Sequence, residues 1–290
     1  MSFSRRSGIL AIVFLPASNE SGFAPNRSTL PGDLSTQGAS RMEKIYRHLA
    51  TGPDRAAAFR LLKAARRLAP GFAETWYRLG RRYEASASYG KARKCYQRAR
   101  DTDRFPVRAT SRIRRIIRDL ASQHHVVLVD AREVIAPLAR KGILGSDVIH
   151  DNCHPNLPAH VALANATLRT LREHDTGGQG MSVGQRVEWP VSGYEATVAS
   201  VIEHFEMDRL SWIRLCERQG DYYKYLAVYH HDIDARLAKS AAYLGAAARM
   251  REGIPPQDAG IPGMDASAFS RGLGRKNEAG LTGGPGQPAE

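Results

Sequence analysis

The clearest alternation of apolar and polar positions runs through residues 39–104. Trp76, Leu79, Gly80, Tyr83, Ala92, Tyr96 and Ala99 fall at helical spacings. Each has a counterpart about 34 residues earlier, a spacing that marks a repeated helix–turn–helix unit. The counterparts are Met42, Ile45, Tyr46, Leu49, Ala58, Leu62 and Ala65, with Pro70 closing the unit. Small residues at 58, 80 and 92 let paired helices approach, while the large ones fill the space between them. Two helical hairpins are expected, one short of the three or more that stabilise a free-standing array. They need something else to pack against.

Short apolar runs flank this region. Gly8–Leu15 is continuous and contains β-branched residues, the mark of a buried parallel strand. It leaves through Pro16-Ala17-Ser18-Asn19, which sets Asn19 at the carboxyl edge of a sheet, where α/β proteins gather ligands. Phe105-Pro106-Val107-Arg108 breaks the repeat, and Ile113, Ile116, Ile117 and Leu120 then mark one face of a helix. Val126–Val129 reads as a second buried strand ending at Asp130. A helix around Val134 to Leu138 and a turn over Gly142 to Gly145 come next. The following helix has Asn156 as N-cap, Pro158 in its first turn and a stripe of Leu157, Val161, Ala164, Leu168 and Leu171. Arg169 and Arg172 sit near its negative end.

Residues 176–193 contain glycine, lack periodicity and read as a linker. Tyr194 to Met250 is rich in helix pattern, with apolar clusters around Val198, Val201, Ile202 and Phe205 and around Trp212, Ile213 and Leu215. Tyr222, Tyr223, Tyr225 and Tyr229 form an aromatic face that is read as packing between helices. From Gly253 onward glycine and proline dominate and a disordered tail is expected. The fold class is α/β, mostly helical. Its expected divisions are a strand and loop over 8–38, helical repeats over 39–104, a strand–helix unit over 105–175, helices over 194–252 and a tail over 253–290.

Composition adjusts this picture in two places. The 290 residues carry a net charge of +13, mostly from arginine, which raises the question of nucleic acid or anionic surfaces as partners. The basic residues Arg66, Arg67, Arg81, Arg82, Arg112, Arg114, Arg115 and Arg118 alternate with apolar helix positions, so a solvated helix face is the simpler reading and nucleic acid is not favoured. Cys95, Cys153 and Cys216 are scattered and odd in number. They describe no disulfide framework, which points to a reducing, cytoplasmic setting. A signal-peptide core over residues 8–17, after Arg5-Arg6, is the alternative. No apolar run has the length of a membrane span.

The candidate chemistry lies in Asp151-Asn152-Cys153-His154-Pro155. An Asp three residues before a His, on a loop entering a capped helix, can hold one imidazole nitrogen and stabilise the imidazolium when the other takes a proton. Asp147 and His150 have the same spacing but lack the following proline and capped helix, so His154 is preferred. His150, Cys153 and His154 also raise the question of zinc. No second cluster stands at ligand spacing, and nothing marks the Cys153 thiol as activated. Ser35, in Gly32-Asp33-Leu34-Ser35, sits in a polar loop and is read as a loop residue.

With its surroundings this segment resembles the last catalytic block of SGNH (GDSL-type) esterases, in which an Asp-x-x-His-Pro turn precedes the C-terminal helix. Ala159-His160 stands where that family often has Gly-His. The positions between 42 and 99 resemble tetratricopeptide repeats, and the order over residues 8–172 is similar to SGNH hydrolases carrying such repeats as an insertion. The resemblance implies a partial SGNH-like parallel sheet with inserted repeat hairpins and a C-terminal helical region. It implies Asp151 and His154 as acid and base of a triad, acyl esters as substrates, and no metal or organic cofactor. The family's Gly-Asp-Ser block and oxyanion asparagine have no match here. Neither Asn19 nor Ser18 nor Ser21 stands in the required context, so the chain is expected to represent the C-terminal part of such a hydrolase or a degenerate copy. The alternative is a non-catalytic tetratricopeptide scaffold that binds a protein or peptide partner.

Overall fold

The structure is a computed structural model and describes residues 10–175, 195–205, 207–229 and 233–264, the side chains of 174, 175 and 229 excepted. It is mostly helical with one two-stranded parallel sheet. Strand β1 (Ile12–Leu15) pairs with β2 (Val127–Asp130), with Ile12 opposite Val127 and Leu15 opposite Asp130. The apolar runs thus form strands of four residues each, the first shortened at its start and the second beginning at Val127 and ending at Asp130. The beginning of the first run lies outside the described residues.

Four helices connect the strands: α1 (Thr36–Ala50), α2 (Arg55–Leu68), α3 (Ala73–Glu84) and α4 (Tyr89–Asp101). Side chains at the starts of α1 and α2 satisfy backbone N–H groups that have no partner inside a helix. Ser35 caps α1 by accepting from the Gly38 amide at 3.1 Å, and Asp54 caps α2 through Ala57 at 2.7 Å. The Ser35 hydroxyl is therefore a helix cap. The residues picked out by the 34-residue spacing supply the interior: Met42, Ala58, Leu62, Ala65, Leu79, Ala92, Tyr96 and Ala99 are all buried. Gly80 shows why size matters there. A Cβ on it would lie 2.6 Å from Cε1 of the Tyr96 ring, so α3 and α4 approach through the missing side chain.

Helix α5 (Ser111–Gln123) packs beside both strands, and α6 (Ala131–Ile135) leaves β2 directly. The apolar face expected on α5 is present but uncovered. Ile113, Ile116 and Leu120 are 44%, 47% and 49% exposed, and Val13 and Phe14 of β1 are also open. A ladder of two short strands has too few neighbours to cover both its faces and its edges. Around it, Ile135, Leu144, Val148, Ile149 and Ala159 form a compact apolar cluster. The last of these lies on α7 (Leu157–Asp175), whose cap is the expected one: Asn156 Oδ1 accepts from the Ala159 amide at 3.1 Å.

The C-terminal helices are α8 (Val198–His204), α9 (Arg209–Tyr229) and α10 (Ile233–Arg251). Trp212, Cys216, Tyr223, Tyr243, Ala246 and Met250 form the α9–α10 core, where the Tyr223 and Tyr243 rings stack at 5.7 Å. The expected tail does not begin at Gly253. Residues 253–264 close over this core, with Ala259 and Ile261 buried, because two apolar side chains suffice to dock a short segment on an existing surface. The remainder of the expected tail and the linker over 176–193 lie outside the described residues. No helix among the described residues is long and apolar enough to cross a membrane.

Gly80→Ala should destabilise the fold by about 1–3 kcal/mol through overpacking against Tyr96, although alanine is the better helix former. Urea unfolding measures this. An unchanged or raised midpoint would contradict the close approach of α3 and α4.

Candidate functional site

The loop between the Gly142–Gly145 turn and α7 folds back on itself. The His150 amide donates to the His154 carbonyl at 2.8 Å and the Asn156 amide to the Val148 carbonyl at 2.9 Å, with Ile149 and Pro155 bridged antiparallel. Asp151 turns its carboxylate into this closed loop. Its Oδ1 accepts from the backbone amides of Cys153 and His154, each at 2.9 Å. Its Oδ2 lies 2.7 Å from Nδ1 of His154 and accepts from the Tyr222 hydroxyl of α9 at 2.9 Å.

The loop is also fixed from β1. Asn19 is fully buried, and its Nδ2 donates to the carbonyls of Ile149 at 3.2 Å and Asp151 at 2.8 Å. Its Oδ1 accepts from the Gly22 amide at 2.7 Å. Asn19 therefore spends its side chain on positioning, and has no free donor for an oxyanion. The segment that carries it is held by two arginines. Arg108 donates to the carbonyls of Asn19 and Phe23 at 2.9 and 2.8 Å, and Arg132 pairs with buried Glu20 at 3.0 Å.

Burial acts against the Asp151 charge and is the largest influence on it. The His154 and Cys153 amides, the His154 ring and the Tyr222 hydroxyl outweigh it together and hold the carboxyl below its usual range. The acid is thus ionised, 3% exposed, and directed at an imidazole whose side chain is 74% exposed. In the neutral ring, a carboxylate at Nδ1 favours the tautomer with the proton on that nitrogen, so that Nε2 carries the lone pair. This is what a general base requires: one nitrogen held, the other unprotonated.

The second Asp-His spacing does not form a pair. Asp147 Oδ2 accepts from the Arg140 amide at 2.7 Å, while His150 Nδ1 meets the Tyr243 hydroxyl of α10 at 2.7 Å. Burial lowers the His150 pKa to about 4, with Lys239, His160 and His154 adding repulsion and Asp151 opposing them. His150 is a neutral structural group at ordinary pH. Burial and the neighbouring Asp151 charge push the Cys153 thiol up, the wrong direction for a nucleophile. Donor atoms of Asp151, Cys153 and His154 lie within 4.8 Å of one another. Asp151 Oδ2 is already committed to Tyr222 and His154, the thiol resists ionisation, and no fourth donor joins them among the described residues, so the chemistry of the set does not suit tetrahedral zinc.

None of Ser18, Ser21 and Ser35 hydrogen-bonds to the His154 ring among the described residues: Ser35 caps α1, and the buried Ser18 hydroxyl has no hydrogen-bond partner among the described residues. The residues that sequence reasoning missed are Tyr222 and Tyr243, which support Asp151 and His150 from α9 and α10. The four tyrosines were noticed as a packing face, and two kinds of role are in fact divided among them: Tyr223 is core, whereas Tyr222 reaches the acid. Comparison of the chain with protein-family models, curated proteins and solved structures gave no match.

The His150 pKa gives a pH prediction. It is about 4 when folded against 6.5 for the unperturbed ring, so the unfolded chain binds more protons between those values and stability is lost as pH falls through the window. The loss is about 3 kcal/mol at most. The lowered Asp151 carboxyl contributes stability above its unfolded pKa of about 3.9 and loses it only below that, outside the window. His150→Gln should flatten the decline in urea midpoint between pH 6.5 and 4. An equally steep decline in the variant would assign it to other groups.

Proposed function

We propose that Asp151 and His154 are the acid and base of an SGNH-type ester hydrolase. The observation that carries this reading is the contrast within the pair. A buried, ionised carboxylate with four hydrogen bonds orients an imidazole whose side chain is 74% exposed. Packing alone does not call for that arrangement, since a structural histidine is ordinarily enclosed, as His150 is.

In the proposed reaction, Nε2 of His154 takes the proton of a serine hydroxyl as the oxygen attacks the ester carbonyl. Asp151 stabilises the imidazolium, which then protonates the leaving alcohol. Water, deprotonated by the same nitrogen, releases the acid from the acyl-enzyme. The serine and the oxyanion donors are not assigned to residues of this chain. Tyr222 is a positioning residue, since it touches Asp151 and not the reacting atoms. The buried small residues at 58, 92, 65 and 99 support the companion reading of α1–α4 as a tetratricopeptide-like insertion. A scaffold without catalysis, binding a protein or peptide through those helices, is the reading that replaces the hydrolase if turnover is absent.

The test is hydrolysis of p-nitrophenyl acetate by the full chain, its Asp151→Asn variant and its His154→Ala variant, with circular dichroism to establish folding. With no serine assigned, the reading predicts general-base hydrolysis by His154 above that of an equal concentration of free imidazole, and loss of that excess in each variant. Parental turnover no greater than that of free imidazole, or turnover in both variants equal to the parent's, overturns it.

A further inference from the structure

A second candidate site lies at the carboxyl end of the two strands, apart from the imidazole. A cleft of about 300 Å³ opens between the loop after β1, the α4 and α5 helices and the start of α6. Six arginines line it: Arg93, Arg100, Arg114, Arg115, Arg118 and Arg132. Three of these build its walls. Nη2 of Arg114 donates to both oxygens of Asp130 at 3.0 Å, Arg132 pairs with Glu20 at 3.0 Å, and Arg100 pairs with Asp101 at 3.0 Å while donating to Ser111 at 2.7 Å.

The other three are held less closely. Arg93 is 3.8 Å from Glu133 and Arg118 is 3.7 Å from Asp130, both beyond hydrogen-bond length. Arg115 has no ion pair among the described residues. The six guanidinium groups face the carboxylates of Glu20, Asp130, Glu133 and, behind Arg100, Asp101, which leaves two positive charges uncompensated. Ser18 lines the cleft; the residue is 4% exposed, and its buried hydroxyl has no hydrogen-bond partner among the described residues. A buried hydroxyl left in that state is costly, and an acceptor oxygen entering the cleft would relieve it.

We propose that this cleft binds the phosphate group of a small molecule. A phosphate oxygen accepts from the Ser18 hydroxyl, while Arg115, Arg118 and Arg93 close on the remaining oxygens from the mouth. Guanidinium forks suit phosphate because they donate pairs of parallel hydrogen bonds. The carboxyl end of a parallel ladder is where α/β folds commonly seat ligands. A small ligand is favoured over nucleic acid on two counts: the cleft is a bounded pocket, and no aromatic side chain lines it to stack on bases.

The proposal is independent of ester hydrolysis and is tested by binding. Calorimetric titration of the full chain with inorganic phosphate and with glycerol phosphate, at fixed ionic strength in chloride, should show one saturable site. Arg115→Gln with Arg118→Gln should weaken it about tenfold or more, as loss of charge-assisted hydrogen bonds implies. Both side chains are exposed, so this variant should keep the parental melting temperature. Ser18→Ala should weaken it by a smaller factor. The proposal is overturned if neither phosphate saturates, if binding is unchanged in these variants, or if only a single-stranded oligonucleotide binds.

Discussion

The buried carboxylate of Asp151 is the constraint around which the described structure is arranged. An ionised acid removed from water is tolerated only when every oxygen is occupied by donors. Here two backbone amides serve one oxygen and an imidazole and a phenol serve the other. Three of the four donors come from the same turn. The fourth comes from α9, so the C-terminal helices complete the electrostatics of a loop they follow by 71 residues. The short antiparallel bridge around the turn and the Asn19 amide then keep that loop from opening.

From this follows the division of labour between the two histidines. His154 lies on the outer side of the carboxylate, where its ring meets solvent. His150 lies on the inner side against Tyr243, where burial keeps it neutral. Neighbouring residues of the same type thus have different chemistry because the loop turns between them. The two-stranded sheet contributes position rather than mass: β1 delivers Asn19 to the loop, and its flanking segment is clamped by Arg108 and the Arg132–Glu20 pair. The apolar surface left open on α5 and β1 is the cost of so small a sheet.

What could be read from the sequence was what is local in it. The two apolar runs, the apolar spacings within α1–α4, the Asn156 cap and the Asp151–His154 spacing all involve residues a few positions apart. Their patterns survive without knowledge of the fold. Tyr222 and Asn19 could not be given their roles, since their partners lie 71 and 132 residues away and nothing in the intervening chain signals the contact. Tyrosines at helical spacing look alike whether they fill a core or reach an acid. The tail boundary at Gly253 was misplaced for a related reason: Ala259 and Ile261 are sparse in sequence and are buried only because α9 and α10 offer a finished surface. The exposed face of α5 carries the same lesson in reverse, since an amphipathic stripe predicts an apolar face but not its cover.

The account rests on Asp151 fixing the His154 tautomer, and nitrogen-15 NMR of histidine-labelled protein measures that directly. It predicts a His154 ring with its proton on Nδ1 and a bare Nε2 above the ring's titration, a state that Asp151→Asn abolishes. A ring protonated mainly on Nε2, or a free-imidazole mixture unaffected by Asp151→Asn, would contradict the acid–base pairing.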